Sequence, residues 1–401
     1  FMPRYRLADE TGEPYCPQDI VRVLEPLSGK VEIMVDYQPA LEFARLPTHT
    51  EKTNTGVYKS TADGIIGGKH IYESIYLYSN ISDESILEGK KYLLEKREHL
   101  LISYNDKLSS PCDATIWLIL SQTRAYWLAW SYRTHTPIEY RDEVMRSALV
   151  LKLMQFSPTG SVIASPTTSL PETIGEVRNW DYRFCWLRDA SMTVSVLNRL
   201  GHHDMANRFM EWLLKIVPSK NDPLQIMYGI RGEKTLTEHT LDHLSGYQGS
   251  KPVRIGNAAY HQRQHDIYGA VLDVYWQQLE HFLHRPDHLD ALWTHVRSVS
   301  RTVLKIWSRP DKGIWEFRGK PRHFLFSKLL CWVAIDRACK IAHRIGRPQW
   351  AANQRLLADK IHADIITRGW SEKLGAFGQS YGSDDADASC LLMAHYGFLD
   401  A

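Results

Sequence analysis

The stretch Arg178–Asp189 reads RNWDYRFCWLRD. Aromatic rings alternate with guanidinium groups, an amide and two carboxylates, and the run opens directly into an apolar-periodic segment, Ala190–Leu200. That places it at the end of a loop, where a helix begins. Such a mixture is wasteful as a core and costly as bare surface. Planar hydrogen-bonding forks beside ring faces suit a polyhydroxylated sugar, which has hydroxyls at its edge and C–H groups on its faces. The competing reading is a loop-to-helix junction held by a buried Arg–Asp network.

Outward from this stretch the period is helical. Ala114–Trp130 reads as a connecting helix. Further helices are expected over Tyr140–Gln155, Asp204–Val217, Asp266–His284, Leu289–Trp307, Ser327–Ile345, Gln349–Thr367 and Ala388–Tyr396. In Asp204–Val217, Ala206, Phe209, Met210, Leu213 and Val217 share one face. Gly201 and Gly346 stand just past helix ends, where a left-handed cap is needed.

Before Asp106 the pattern is that of strands. Ile20–Glu25 and Val31–Tyr37 alternate, and Ser28-Gly29 between them predicts a hairpin. Short strands are expected at Ser74–Tyr78, Tyr92–Leu94 and Leu100–Tyr104, and a surface loop over Thr50–Gly68. The chain is therefore read as mainly α with an N-terminal β domain. An antiparallel β-sandwich covers residues 1–110, a linker helix 111–135 and a helical domain 136–401.

The connections Ser157–Asp189, Pro218–Gln264, Ser308–Phe326 and Gly369–Asp387 are long for a compact domain, and long loops are usually functional. If successive helices run antiparallel, alternate loops meet at one end and can build a site there.

Composition excludes several classes. The 401 residues carry a formal net charge of +2, with no basic run interleaved with aromatics, so no nucleic-acid partner is expected. No apolar run approaches the roughly 18–20 residues of a membrane helix. Cys16, Cys112, Cys185, Cys331, Cys339 and Cys390 are scattered without a CxxC pair and read as reduced thiols of a cytoplasmic protein. Asn80-Ile-Ser82 is a glycosylation sequon that matters only in a secreted chain. His239 and His243 stand four apart, as do His261 and His265, but without an HExxH pattern or a third ligand no metal is expected. The absence of a P-loop, a GxGxxG and a GxSxG leaves no cofactor or nucleophile-elbow reading.

One carboxylate has the setting of an acid catalyst. Glu316, in Asp311-Lys-Gly-Ile-Trp-Glu-Phe-Arg-Gly319, lies between Trp315 and Phe317. Apolar rings solvate a carboxylate poorly, so its pKa should rise, as a general acid in glycoside hydrolysis requires. The alternative is a Glu paired with Arg318 for loop rigidity. Arg188 and Asp189 supply a donor and an acceptor for one sugar's hydroxyls; Asp181 and Arg183 do the same or brace them. Arg254, in Gly249-Ser-Lys-Pro-Val-Arg-Ile-Gly-Asn257, is a loop guanidinium among glycines that permit close backbone approach. A loop clamp onto an acidic residue is its other reading.

The segments Arg146–Leu153, Ala164–Glu172, Arg178–Ala190, Leu224–Ile230, Pro252–Asn257, Gly313–Gly319 and Ser327–Arg337, in this order, together resemble glycoside hydrolase family 15. That family holds the glucoamylases, bacterial glucoamylase-like proteins and trehalases. The resemblance implies an N-terminal β-sandwich followed by an (α/α)6 barrel, and exo-hydrolysis of α-glucosidic bonds with inversion. It implies Glu316 as the general acid, Arg188 and Asp189 as the grip on the terminal glucose, and Arg254 at the sugar site. Trp180, Asp181, Tyr182, Trp186 and Trp315 complete the substrate side.

The departures from the family are equally specific. About eight helices are readable where six pairs are needed, and the family's second glutamate, the general base, has no match. The chain is therefore read as truncated at both ends. Asp189, Asp181 and the Asp384–Asp387 cluster are the only stand-ins for the base, and the cluster is expected to cap the helix that follows it. The expected function is an inverting exo-α-glucosidase releasing glucose from short α-glucans. Trehalose hydrolysis on the same scaffold is the alternative, and a sugar-binding or regulatory protein that no longer cuts is the rival from another class.

Overall fold

A computed structural model describes residues 1–6, 14–216 and 224–399. Val217, the end of an expected helix, and Pro218–Pro223, the head of an expected loop, lie outside the described residues. The chain divides into two compact units, Phe1–Arg133 and Thr134–Ala401.

Besides the two-residue pair Tyr5–Arg6 and Pro14–Tyr15, the strands of the first unit are β1 (Asp19–Leu24), β2 (Val31–Ile33), β3 (His49–Lys52), β4 (Tyr58–Ile66), β5 (Lys69–Ser79), β6 (Tyr92–Leu94) and β7 (Glu98–Tyr104). Five form an antiparallel sheet in the order β1-β7-β5-β4-β3, while β2 and β6 form a separate ribbon. Period-two alternation loads both faces of the sheet. Val21, Val57, Tyr78 and Leu101 pack with Ile116 of helix α1 (Asp113–Tyr132). Tyr58 and Leu77 pack on the other side with Ile81, Ile86 and the ribbon residues Ile33 and Tyr92.

Two sequence expectations are corrected here. β1 and β2 do not form a hairpin: β1 pairs with β7, Asp19 opposite Ser103, and β2 with β6, Val31 opposite Leu94. The turn at Gly29 is real, with φ +63°, but alternation only says that a face is buried, not which strand lies alongside. Thr50–Gly68 is not a surface loop. It contains most of β3 and all of β4, with Tyr58, Ser60 and Ala62 facing inward between polar neighbours. Small inward residues hid the alternation, and Gly67-Gly68, both at positive φ, is the turn into β5.

The second unit is helical. Its long helices are α2 (Arg141–Leu153), α3 (Leu187–Arg199), α4 (His203–Ile216), α5 (Asp266–Gln277), α6 (Pro286–Ile306), α7 (Leu325–Arg344) and α8 (Pro348–Gly369). They alternate between two layers: α3, α5 and α7 pack side by side, and α4, α6 and α8 pack outside them. The inner layer is enclosed, so α5 and α7 bury residues on nearly every side, whereas α4 and α6 bury one stripe. Gly269 lets α5 and α7 approach: a Cβ there would lie 2.2 Å from the Leu330 carbonyl oxygen. The expected helix over Ala388–Tyr396 is a 3-10 turn, Ala388–Leu391, followed by Leu392–His395. Among the described residues no helix is long and apolar enough to cross a membrane.

Candidate active site

The residues singled out by sequence converge where the loops before the inner helices α3, α5 and α7 meet. These loops are stitched by two-residue strands. Cys185–Trp186 pairs with Met227–Tyr228, and His239–Thr240 pairs with Arg254–Ile255. Each loop therefore arrives with its backbone hydrogen bonds partly satisfied and its side chains aimed.

Glu316 and Arg188 form the centre. Trp186 Nε1 donates to Glu316 Oε1 at 2.7 Å, and Arg188 Nη2 stands 3.9 Å from the same oxygen. The Glu316 side chain is about one quarter exposed (24%), so its carboxyl is half-buried but reachable. Burial pushes its pKa above the ordinary Glu value; Arg188, the Trp186 N–H and Gln264 pull the other way without reversing the shift. The backbone at Glu316 is left-handed, φ +54°, which costs a non-glycine residue energy.

Arg188, on the first turn of α3, is 7% exposed and held on every side. Its Nε donates to Asp189 Oδ1 at 2.8 Å, and its Nη1 to Gln264 Oε1 at 3.0 Å and Asp266 Oδ2 at 3.4 Å. Burial opposes the charge, but Asp189, Asp266 and Glu316 together lift its pKa above the usual arginine range. One cation thus serves three carboxylates, and Asp189, with 39% of its side chain exposed, is the one turned toward solvent.

The aromatic residues divide. Tyr182 lies 6.0 Å from Trp186, ring centre to ring centre, and its hydroxyl pKa is pushed up to about 12 by burial and by Glu172, Glu316 and Asp189. Tyr182 therefore shares the field of the site's acids. Trp186 itself is buried, and its contribution is the N–H on Glu316. Trp315 is 57% exposed, and its Nε1 donates to Asp387 Oδ2 at 2.7 Å.

Trp180 carries two guanidinium groups, Arg254 at 4.5 Å and Arg318 at 4.0 Å from its ring centre. Both cations also reach Glu238, at 3.4 and 3.7 Å. Arg254 in addition donates to the Val177 and Asn179 carbonyls and is buried. It clamps its loop onto the Arg178–Asp189 stretch, while Arg318 ties the same cluster to the Glu316 loop.

Asp181 is sealed inside. Its carboxylate takes a bidentate pair from Arg183, at 2.9 and 2.7 Å, and the Gly256 N–H at 2.9 Å. In the acidic cluster near the end of the chain, Asp384 accepts from Ser371. Asp387 caps the Ala388–Leu391 turn through the Ser389 N–H, the expected capping role. Among the described residues no three His, Cys, Asp or Glu form a group that could hold a metal ion.

Sequence reasoning missed three residues, and for a fourth, Asp387, it foresaw the cap but not the bond to Trp315. Gln264 bonds Arg188, and its Nε2 reaches Gln262 Oε1 at 3.3 Å. Asp266 is wholly buried against Arg188. Asp311, also buried, accepts from the His265 N–H at 2.8 Å and Ser327 Oγ at 2.7 Å, and burial pushes its pKa up to about 6. Asp387 holds Trp315. The available signal was the amide-rich run Gln262-Arg-Gln-His-Asp266 ahead of an apolar helix.

Residues 139–401 match the family described as Glycosyl hydrolases family 15. Over 400 residues the chain is 36% identical to a trehalase of Mycolicibacterium smegmatis, covering 95% of this chain and 58% of that one. It is 31% identical to a trehalase of Thermoplasma acidophilum, covering 100% of this chain and 67% of that one. The chain thus spans less than two thirds of the mycobacterial relative. Its fold is similar to that of a bacterial glucoamylase crystallised with acarbose, with a TM-score of 0.53 and 14% identity over 83% of this chain and 54% of the other. The two helix layers are accordingly part of an (α/α)6 barrel, preceded by an antiparallel sheet region.

Proposed function

The chain belongs to glycosyl hydrolases family 15, and from that premise we propose that it hydrolyses α,α-trehalose to glucose. The observation that carries the chemistry is Glu316: a half-buried carboxyl with a raised pKa, hydrogen-bonded by an indole and facing Arg188. A carboxyl whose pKa is raised keeps its proton to higher pH and can donate it to the oxygen of a departing sugar. Arg188 and Asp189 grip the hydroxyls of the glucose being cleaved, and Tyr182 and Trp315 offer ring faces to its C–H groups.

The sequence alone put short α-glucans first. The substrate now proposed is trehalose, because relatives covering nearly the whole chain at 36% and 31% identity are trehalases, whereas the glucoamylase likeness, at 14%, speaks to fold. Inversion, as the family implies, needs a second carboxylate to activate water. Asp181 and Asp387 do not fit that role, since Arg183, Gly256, Trp315, Gln379 and Ser389 already occupy their oxygens.

The test is glucose release by the full chain from trehalose, maltose and isomaltose, with Glu316→Gln alongside. Trehalose should be cleaved with the highest kcat/KM, and the variant should lose it. Faster cleavage of maltose would return the reading to α-glucans, and saturable binding without turnover would favour a sugar-binding protein.

A further inference from the structure

Asp387 has no part in the chemistry proposed above, yet it grips the residue next to the acid. Its Oδ2 accepts from Trp315 Nε1 at 2.7 Å and from Gln379 Nε2 at 3.0 Å. Its Oδ1 accepts from the Ser389 N–H at 2.9 Å and Ser389 Oγ at 2.7 Å. Four donors fix the carboxylate in place. Trp315 is more than half exposed, and an exposed indole ordinarily samples several rotamers; here its one polar atom is tied down.

The next residue, Glu316, holds a left-handed backbone, and such strain persists only where the surroundings over-determine it. The other restraints on the Glu316 backbone are long: its N–H donates to the Gly313 carbonyl at 3.2 Å, and Gln262 Nε2 approaches its carbonyl at 3.5 Å, while Trp186, Arg188 and Gln264 hold the carboxyl end. The Trp315 tether is the strong bond on the N-terminal side.

We propose that Asp387 is a positioning residue for the proton donor: by pinning the Trp315 indole, it fixes the backbone torsions that aim the Glu316 carboxyl at the departing oxygen. This rests on the reading of Glu316 as that donor. Asp387 touches no sugar in this scheme.

The test compares two substrates in the full chain. Trehalose must be protonated at its leaving oxygen; α-glucosyl fluoride leaves as fluoride and needs little such help. Asp387→Ala should lower kcat on trehalose by about tenfold, a part of the range a general acid supplies, while fluoride hydrolysis, which senses only the loosened Trp315 ring face, should fall by no more than about twofold. Asp387→Asn, which keeps an acceptor oxygen, should recover part of the loss. The trehalose-to-fluoride ratio in Trp315→Phe combined with Asp387→Ala should be no lower than in Trp315→Phe alone, because both remove one bond.

Equal losses on the two substrates, additive losses in the double variant, or unchanged trehalose turnover would each overturn the proposal. Glu316→Gln, run in parallel, separates the failures. If it spares trehalose hydrolysis, the donor assignment falls and the tether falls with it. If it is selectively defective while Asp387→Ala is not, only the tether falls.

Discussion

Trp186 Nε1 meets Glu316 Oε1 at 2.7 Å, joining side chains 130 residues apart in sequence. The N–H stabilises the ionised carboxylate, so it works against the burial that raises the Glu316 pKa.

Replacing Trp186 with Phe keeps a ring and deletes this donor. A bond of about 1 kcal/mol corresponds to roughly 0.7 pH unit. The protonated form gains, so the alkaline limb of the kcat/KM profile should move up by about that amount. A limb that stays put or moves to lower pH would show that the N–H does not bear on the titrating group.

Arg188→Met would leave Asp189, Asp266 and Glu316 facing one another without their cation. Breaking such a buried network typically costs about 3–5 kcal/mol, so the denaturant midpoint should fall sharply. Arg188→Lys should recover little, since an ammonium lacks the planar fork that reaches Asp189, Gln264 and Asp266 together. A Lys variant with wild-type stability would contradict this account.

Asp311 makes stability depend on pH in a stated direction. Its folded pKa of about 6 lies above the unfolded value of about 3.9, so the folded state holds the proton more tightly. The contribution is fully present below about pH 4 and is lost as pH rises through about 6. Asp311→Asn keeps an acceptor for the His265 N–H and Ser327 and removes the titration. Relative to wild type, the variant should gain roughly 2 kcal/mol of unfolding free energy between pH 4 and 7. His265, pushed down to about 3 by burial, acts in the opposite sense, so the comparison must be made between the two proteins at each pH.

Stereochemistry tests the proposed course directly. Inverting cleavage of α,α-trehalose turns one glucose into the β anomer and releases the other as α. Proton NMR in the first minutes should therefore show equal amounts of the two. Only α-glucose at early times would mean retention, and the family-based mechanism would be set aside.

Much of the helical unit could be read from the chain because its signals are local. The face of Ala206, Phe209, Met210 and Leu213 recurs every three or four residues and is buried as expected. Strand partners were not legible: β1 finds β7 some eighty residues away, and nothing in either strand names the other. The site followed the same division. Glu316 and Arg188 stood out by their immediate neighbours. Gln264, Asp266 and Asp387 act across 76, 78 and 72 residues on partners that sequence does not place beside them. Asp181 and Trp186 were recognisable as belonging to the region, but only coordinates separate a side chain that braces from one that faces a ligand.

The left-handed torsion at residue 316 has a price in durability. Glycine adopts that torsion without steric strain, so Glu316→Gly should melt at a higher temperature than Glu316→Ala, which loses the same side-chain bonds but keeps the strained torsion. On the reading of Glu316 as the proton donor, endurance and reactivity are opposed at a single dihedral angle.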